Sequence, residues 1–195
     1  MRALKAFLSI AVACYVAYPW EWLAAEEEIK YLSPDGRFAL RIVDEQKVEL
    51  IEKASGEVMV DLGEAWHNPG QVSQILVWSP DSKRVAYGNH GYKGGEVSVY
   101  FWDGSSFEQV ALPEELPSPH IKFPKDCGAV KNYGGAATPL RWLNSGELEL
   151  SSDLMMLCRD SGATCTGELR FTLAFDEQHH ASAKKVGKTK TEVEE

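Results

Sequence analysis

The stretch "LVWSPDSKRVAYG", residues 76–88, spells a strand, a tight turn and a second strand, and a looser copy, "KYLSPDGRFALRI", occupies residues 30–42. In "SPDG" each letter has a mechanical job. Ser33 and Asp35 can bond to local backbone, Pro34 presets φ at the second turn position, and Gly36 accepts positive φ. Ser82 replaces that glycine in the second copy, which leaves the turn geometry there open. A third, degenerate copy, "RWLNSGELEL" at residues 141–150, keeps turn chemistry in Asn144 and Gly146 and puts Trp142 in the place of Trp78.

The residues after each turn repeat as well. Phe38, Leu40 and Ile42 alternate with polar or smaller residues, as do Val85 and Tyr87 after the second turn and Leu148 and Leu150 after the third. Further alternating runs come later in each unit: Val97, Val99 and Phe101 in the second, and Leu169, Phe171, Leu173 and Phe175 in the third. Period-two patterning marks strands with one buried face. Turn signals such as "KASGE", "WDGSS" and "DSGAT" separate the runs, and helical periodicity is confined to the first residues. The chain is therefore all-β, with repeats over about 28–66, 72–112 and 138–190 and a disordered tail at 191–195. Each repeat reads as one strand before the turn and up to three after it.

A period of roughly 45 residues belongs to propeller blades. The "SPDGR" and "WSPDS" turns resemble the WD-like, TolB-type β-propeller repeats of exported bacterial proteins, and Trp102-Asp103 stands where WD repeats carry their dipeptide. The resemblance implies three antiparallel blade-like sheets. Closed propellers usually need at least four blades. The expectation is thus an open or incomplete propeller, one completed by a homodimer, or one whose gap an irregular segment fills.

Arg2 and Lys5 precede the apolar run "AFLSIAVACYVAY", the pattern of a signal peptide over residues 1–25 with cleavage after Ala25. The competing readings are a lipoprotein anchored to the membrane through Cys14 and an uncleaved anchor. All three imply export, to the periplasm or beyond. Export puts Cys127, Cys158 and Cys165 in an oxidising compartment. "CRDSGATC" encloses a short loop, so Cys158 and Cys165 are expected to pair, leaving Cys127 over. No C-x-x-C pair or close Cys/His set suggests zinc, and no cofactor or metal is expected.

The net charge of −9 argues against nucleic acid, whose phosphates need a concentrated basic surface. No G-x-S-x-G elbow, H-E-x-x-H or Walker loop is present. Cys127 and His120 are the one conceivable nucleophile and base, in a Pro-containing loop that fixes no geometry. His179 and His180 are adjacent and should point apart. The function read from these features is an exported, non-catalytic binding module for a protein, peptide or envelope polymer. The alternative is a hydrolase-type enzyme with a site built from loops. In antiparallel meanders the "SPDG" turns share one end, so the longer loops gather at the other: residues 64–71, 88–96, the insert 113–137 and 158–165. Longer loops usually carry recognition. Candidate binding residues on that end are Trp66, His67, His90, Tyr92, His120, Tyr133 and Arg159.

Overall fold

The structure, a computed structural model, describes residues 27–65, 73–91, 94–184 and 186–194. All regular elements among them are strands. The first meander is β1 (Glu27–Lys30), β2 (Phe38–Val43), β3 (Lys47–Glu52) and β4 (Val58–Glu64). The second is β5 (Ser73–Trp78), β6 (Arg84–Gly91), β7 (Gly94–Trp102) and β8 (Phe107–Gln109). The third is β9 (Val130–Trp142), β10 (Leu148–Cys158), β11 (Thr164–Phe175) and β12 (Ala181–Lys184), with β13 (Lys190–Glu194) beside β11. Within each meander, consecutive strands pair antiparallel. The first is a four-stranded sheet of its own. The second and third are joined into one nine-stranded sheet by a parallel pair, Gly94 with Gly135, and among the described residues no sheet closes on itself.

The repeated turns have the same hydrogen bonds. Ser33 Oγ donates to Asp35 Oδ1 (2.6 Å) and accepts from Phe38 N–H (2.9 Å); Ser79 Oγ does the same with Asp81 (2.5 Å) and Arg84 N–H (2.9 Å). Burial alone would push both carboxyls up, but the serine hydroxyls and the N–H groups of Arg37 and Lys83 hold them below the ordinary range. Ser82 keeps the glycine's geometry, with φ of 59° against 73° at Gly36. A left-handed serine is tolerated here because its hydroxyl accepts a bond from Asp35 N–H across the meanders (3.0 Å).

The tryptophans of the repeats join neighbours in one direction. Trp78 Nε1 donates to Tyr31 O (2.8 Å), and Trp142 Nε1 donates to Val77 O (3.0 Å). Tyr31 and Val77 occupy the same place, two residues before the turn serine. Leu32, the counterpart of these tryptophans in the first meander, is half exposed.

Strand alternation stacks the meanders face to face. Phe38, Leu40 and Leu50 of the first pack with Val85, Tyr87 and Phe107 of the second. The opposite face of the second, with Ala86, Val99 and Phe101, packs on Trp142, Leu148 and Phe171 of the third. Burying both faces of the middle unit is what stacking achieves that no single sheet could. Trp78, Trp142 and Phe101 are thus core aromatics, as their pattern suggests.

Two boundaries differ from expectation. The strand β9 begins at Val130, well inside the segment read as a loop to 137. The tail expected to be disordered at 191–195 is mostly β13, which pairs along Thr164–Glu168 of β11. The physical reason is strand length: β12 covers only Thr172–Phe175 of β11, leaving its other half without a partner until the tail supplies one.

The outer face of the first meander carries Glu49, only 3% exposed. Its carboxylate accepts from Arg41 Nη2 (2.6 Å) and Nε (2.9 Å) and pairs with Lys47 Nζ (2.5 Å). Burial pushes this carboxyl up, but the hydrogen bonds from Lys47 and Arg41 outweigh it and hold it below its ordinary value of 4.5. A carboxyl depressed in the folded state adds stability above its unfolded pKa, and that stability is lost as pH falls through the folded value. We expect the melting temperature to drop below about pH 4.5. In Glu49→Gln this drop should be smaller, and stability at neutral pH should be lower by about 1.5 kcal/mol. Parallel pH profiles for the two proteins would show that Glu49 does not carry the acid sensitivity.

Candidate functional site

Of the stretches expected as loops at the end opposite the short turns, 113–129 and 159–163 are connections there, and 88–91 and 94–96 are instead strand of β6 and β7. Residues 66–72 lie outside the described residues, and the end is stepped. Strands β9, β10 and β11 have 13, 11 and 12 residues, against 9 or fewer in the other meanders, so the third meander projects past the second.

His90 sits at the step. Its Nε2 lies 2.9 Å from Ala137 O and 3.4 Å from Thr138 Oγ1, tying β6 to β9. Glycines make room for the ring: a Cβ on Gly95 would stand 2.4 Å from His90 Cδ2, and one on Gly88 would stand 3.3 Å from Nε2. The glycine-rich stretch thus seats a structural histidine. Tyr133 lies four residues farther out on β9, roughly 13 Å along the strand from Ala137. Arg159 comes directly after β10, and its backbone N–H donates to Ala129 O (2.9 Å). His120 lies on the insert, its N–H donating to Thr189 Oγ1 (3.1 Å). These four therefore share an end of the molecule without converging on one point. Trp66, His67 and Tyr92 lie outside the described residues, as do the leader and Cys14.

A groove of about 520 Å³, which the sequence pattern does not announce, runs beside β9. Its floor is the small-residue run Gly134–Ala137, Tyr133 and Asp153 contribute larger groups, and Leu116 and Ser118 of the insert form a wall. A Cβ on Gly135 would stand 2.4 Å from Asp153 O, so that position is closed to any side chain. The one signal in the sequence is "YGGAA", four small residues inside a long strand.

The cysteines correct an expectation. Cys127 and Cys158 form the disulfide, with Cα atoms 4.7 Å apart, and Cys165 is a buried free thiol. Cys158 does not pair with Cys165 because the β10–β11 register sets Met156, not Cys158, opposite Cys165. Cys158 and Cys165 are thus diagonal neighbours, a longer separation than a direct cross-strand pair. The insert instead folds over this end of β10 and β11. Ile121 packs with the three cysteines, and a Cβ on Gly167 would stand 2.9 Å from Ile121 Cγ1 and Pro119 Cβ. A disulfide fits an oxidising compartment.

At the short-turn end, Arg84 lies over Trp142 (5.0 Å) and donates to Gly146 O (3.0 Å), so its cation is engaged within the fold. His179 meets the ring of Phe101 edge-on and His180 pairs with Asp176, so the adjacent histidines do point apart. Asp103, which closes the "WDGSS" turn, is held down to about 2 by the N–H groups of Ser106 and Ser105. Among the described residues no group of three or more His, Cys, Asp or Glu side chains could hold a metal ion. The sequence matches no protein-family model and is not significantly similar to any curated protein.

Proposed function

We propose that this chain is an exported, non-catalytic binding module of the propeller-like repeat type, which takes an extended peptide or protein segment in the groove beside β9. The groove is the observation that carries the reading. It is open at the surface, floored by residues too small to obstruct a chain, and edged by Tyr133, a residue type that anchors interfaces. β7 pairs with β9 at Gly94 and Gly135 alone, and an added chain would lie along β9 beside that pair.

Two further observations support a binding role that needs no second copy. The outer face of the first meander carries the ion pairs of Glu49, and that of the third carries Glu149 with Arg141 and Glu168 with Arg170. Terminal units of stacked repeats need such polar outer faces. In the resting structure the sulfur of Cys127, the nucleophile the enzyme reading would use, is bonded to Cys158.

The test is capture from envelope extracts by the full mature protein, comparing the wild type with Ala136→Trp, which fills the groove, and with Arg37→Ala at the short turns. Capture should fall at least tenfold in Ala136→Trp and stay unchanged in Arg37→Ala. Equal capture by wild type and Ala136→Trp, with thermal transitions alike, would reject the groove. Loss only in Arg37→Ala would move recognition to the opposite end.

A further inference from the structure

We propose that Cys165 is an internal exchange partner for the Cys127–Cys158 disulfide, so that the bond can migrate to Cys158–Cys165 and release Cys127. The inference is independent of the binding reading. Its basis is a three-sulfur cluster: Cys165 Sγ lies 3.7 Å from Cys158 Sγ, the sulfur already bonded to Cys127. All three residues are buried together beneath the insert, at 2%, 0% and 0% exposure for Cys127, Cys158 and Cys165.

The step balances without any external oxidant. Cys165 loses its thiol proton, and its sulfur attacks Cys158 Sγ. The Cys158–Cys165 bond forms as the Cys127–Cys158 bond breaks, and the electron pair leaves on Cys127 Sγ, which takes up a proton. One disulfide and one thiol stand on each side of the equation. Attack falls on Cys158 because that is the sulfur within reach. The resting bond stays with Cys127 because the β10–β11 register keeps Cys158 and Cys165 diagonal, so the migrated form is the minor one.

Migration has a structural consequence. Cys127 is the insert's covalent tie to the third meander, and the insert also supplies Leu116 and Ser118 to the groove wall. Releasing Cys127 leaves the insert held by packing, such as that of Ile121 on Gly167, and by backbone hydrogen bonds, including Arg159 N–H to Ala129 O. A buried disulfide beside a buried thiol thus acts as a latch with an internal key.

The experiment is thiol trapping on the folded full-length mature chain. Wild type is held at pH 8 with N-ethylmaleimide, quenched in acid, digested without reduction and mapped. The expected product carries the label on Cys127 and a Cys158–Cys165 cross-linked peptide. Cys165→Ser should give no labelled Cys127. In Cys127→Ser, oxidised glutathione should close Cys158–Cys165 while circular dichroism stays native. Label on Cys165 with Cys127–Cys158 intact overturns the proposal. So does an absence of label in a chain that labels fully once unfolded, and so do two lasting thiols in folded, glutathione-treated Cys127→Ser.

Discussion

Replacing Trp142 by alanine is expected to lower stability by about 3–5 kcal/mol. The residue is 7% exposed at the joint between the second and third meanders. Its rings lie 6.0 Å from Phe101 and 5.6 Å from Phe175, with the Arg84 guanidinium 5.0 Å above, and its indole N–H holds the Val77 carbonyl. Truncation would open a cavity, remove one of the two rings beneath Arg84 and leave a part-buried carbonyl without its donor. Against a total stability of about 5–15 kcal/mol, that is enough to bring the folded state near its limit. Trp142→Phe refills most of the volume but cannot donate, so it should cost only about 1–2 kcal/mol. Urea denaturation of both variants is the measurement. A loss below about 1 kcal/mol for Trp142→Ala would mean that the meanders are held together elsewhere.

The double substitution Cys127→Ala/Cys158→Ala should cost about 3–4 kcal/mol, because the bond closes a loop of 31 residues and so removes much of the freedom of the unfolded chain. That loop contains β9 and most of β10, so the loss should appear in the global transition and not as local fraying. Wild type reduced with dithiothreitol should unfold at nearly the same denaturant concentration as the variant. A variant matching oxidised wild type would show that the bond adds nothing to the fold and serves only to fix the insert.

The turns were legible in the sequence because their chemistry is local. Ser33 and Asp35, or Ser79 and Asp81, reach backbone within five residues, and the spacing of the polar letters already implies those bonds. Trp142 was legible as a repeat of Trp78 and as core, but its acceptor at Val77 was not, since nothing in a linear pattern names a carbonyl in another repeat. The disulfide was misread for a related reason. A short loop between Cys158 and Cys165 suggests a pair, but the register of two long strands decides which residues face each other, and that register sets Met156 against Cys165. Cys127 arrives from an insert with no periodicity to place it. The groove escaped notice because glycine and alanine carry no chemistry of their own; they matter there as empty space. The sequence pattern suggests both His90 and Tyr133 as recognition residues, and of the two only Tyr133 lines that space.

The one-way reach of the tryptophans bears on how the chain is assembled as it is made. Trp142 comes 65 residues after the carbonyl it needs, and Trp78 comes 47 after its own. At a synthesis rate of about 5–20 residues per second, each carbonyl waits roughly 2–13 s for its indole. Hairpins form in microseconds, so an emerging meander has ample time to fold before its successor exists. During that wait the face bearing Phe38 and Leu40 has no cover, which makes it the surface most in need of protection from neighbouring nascent chains. A circular permutant beginning at Val130 would reverse the order, presenting the donor of Trp142 before its acceptor. It would reach the same contacts with the joint around Trp142 exposed for longest.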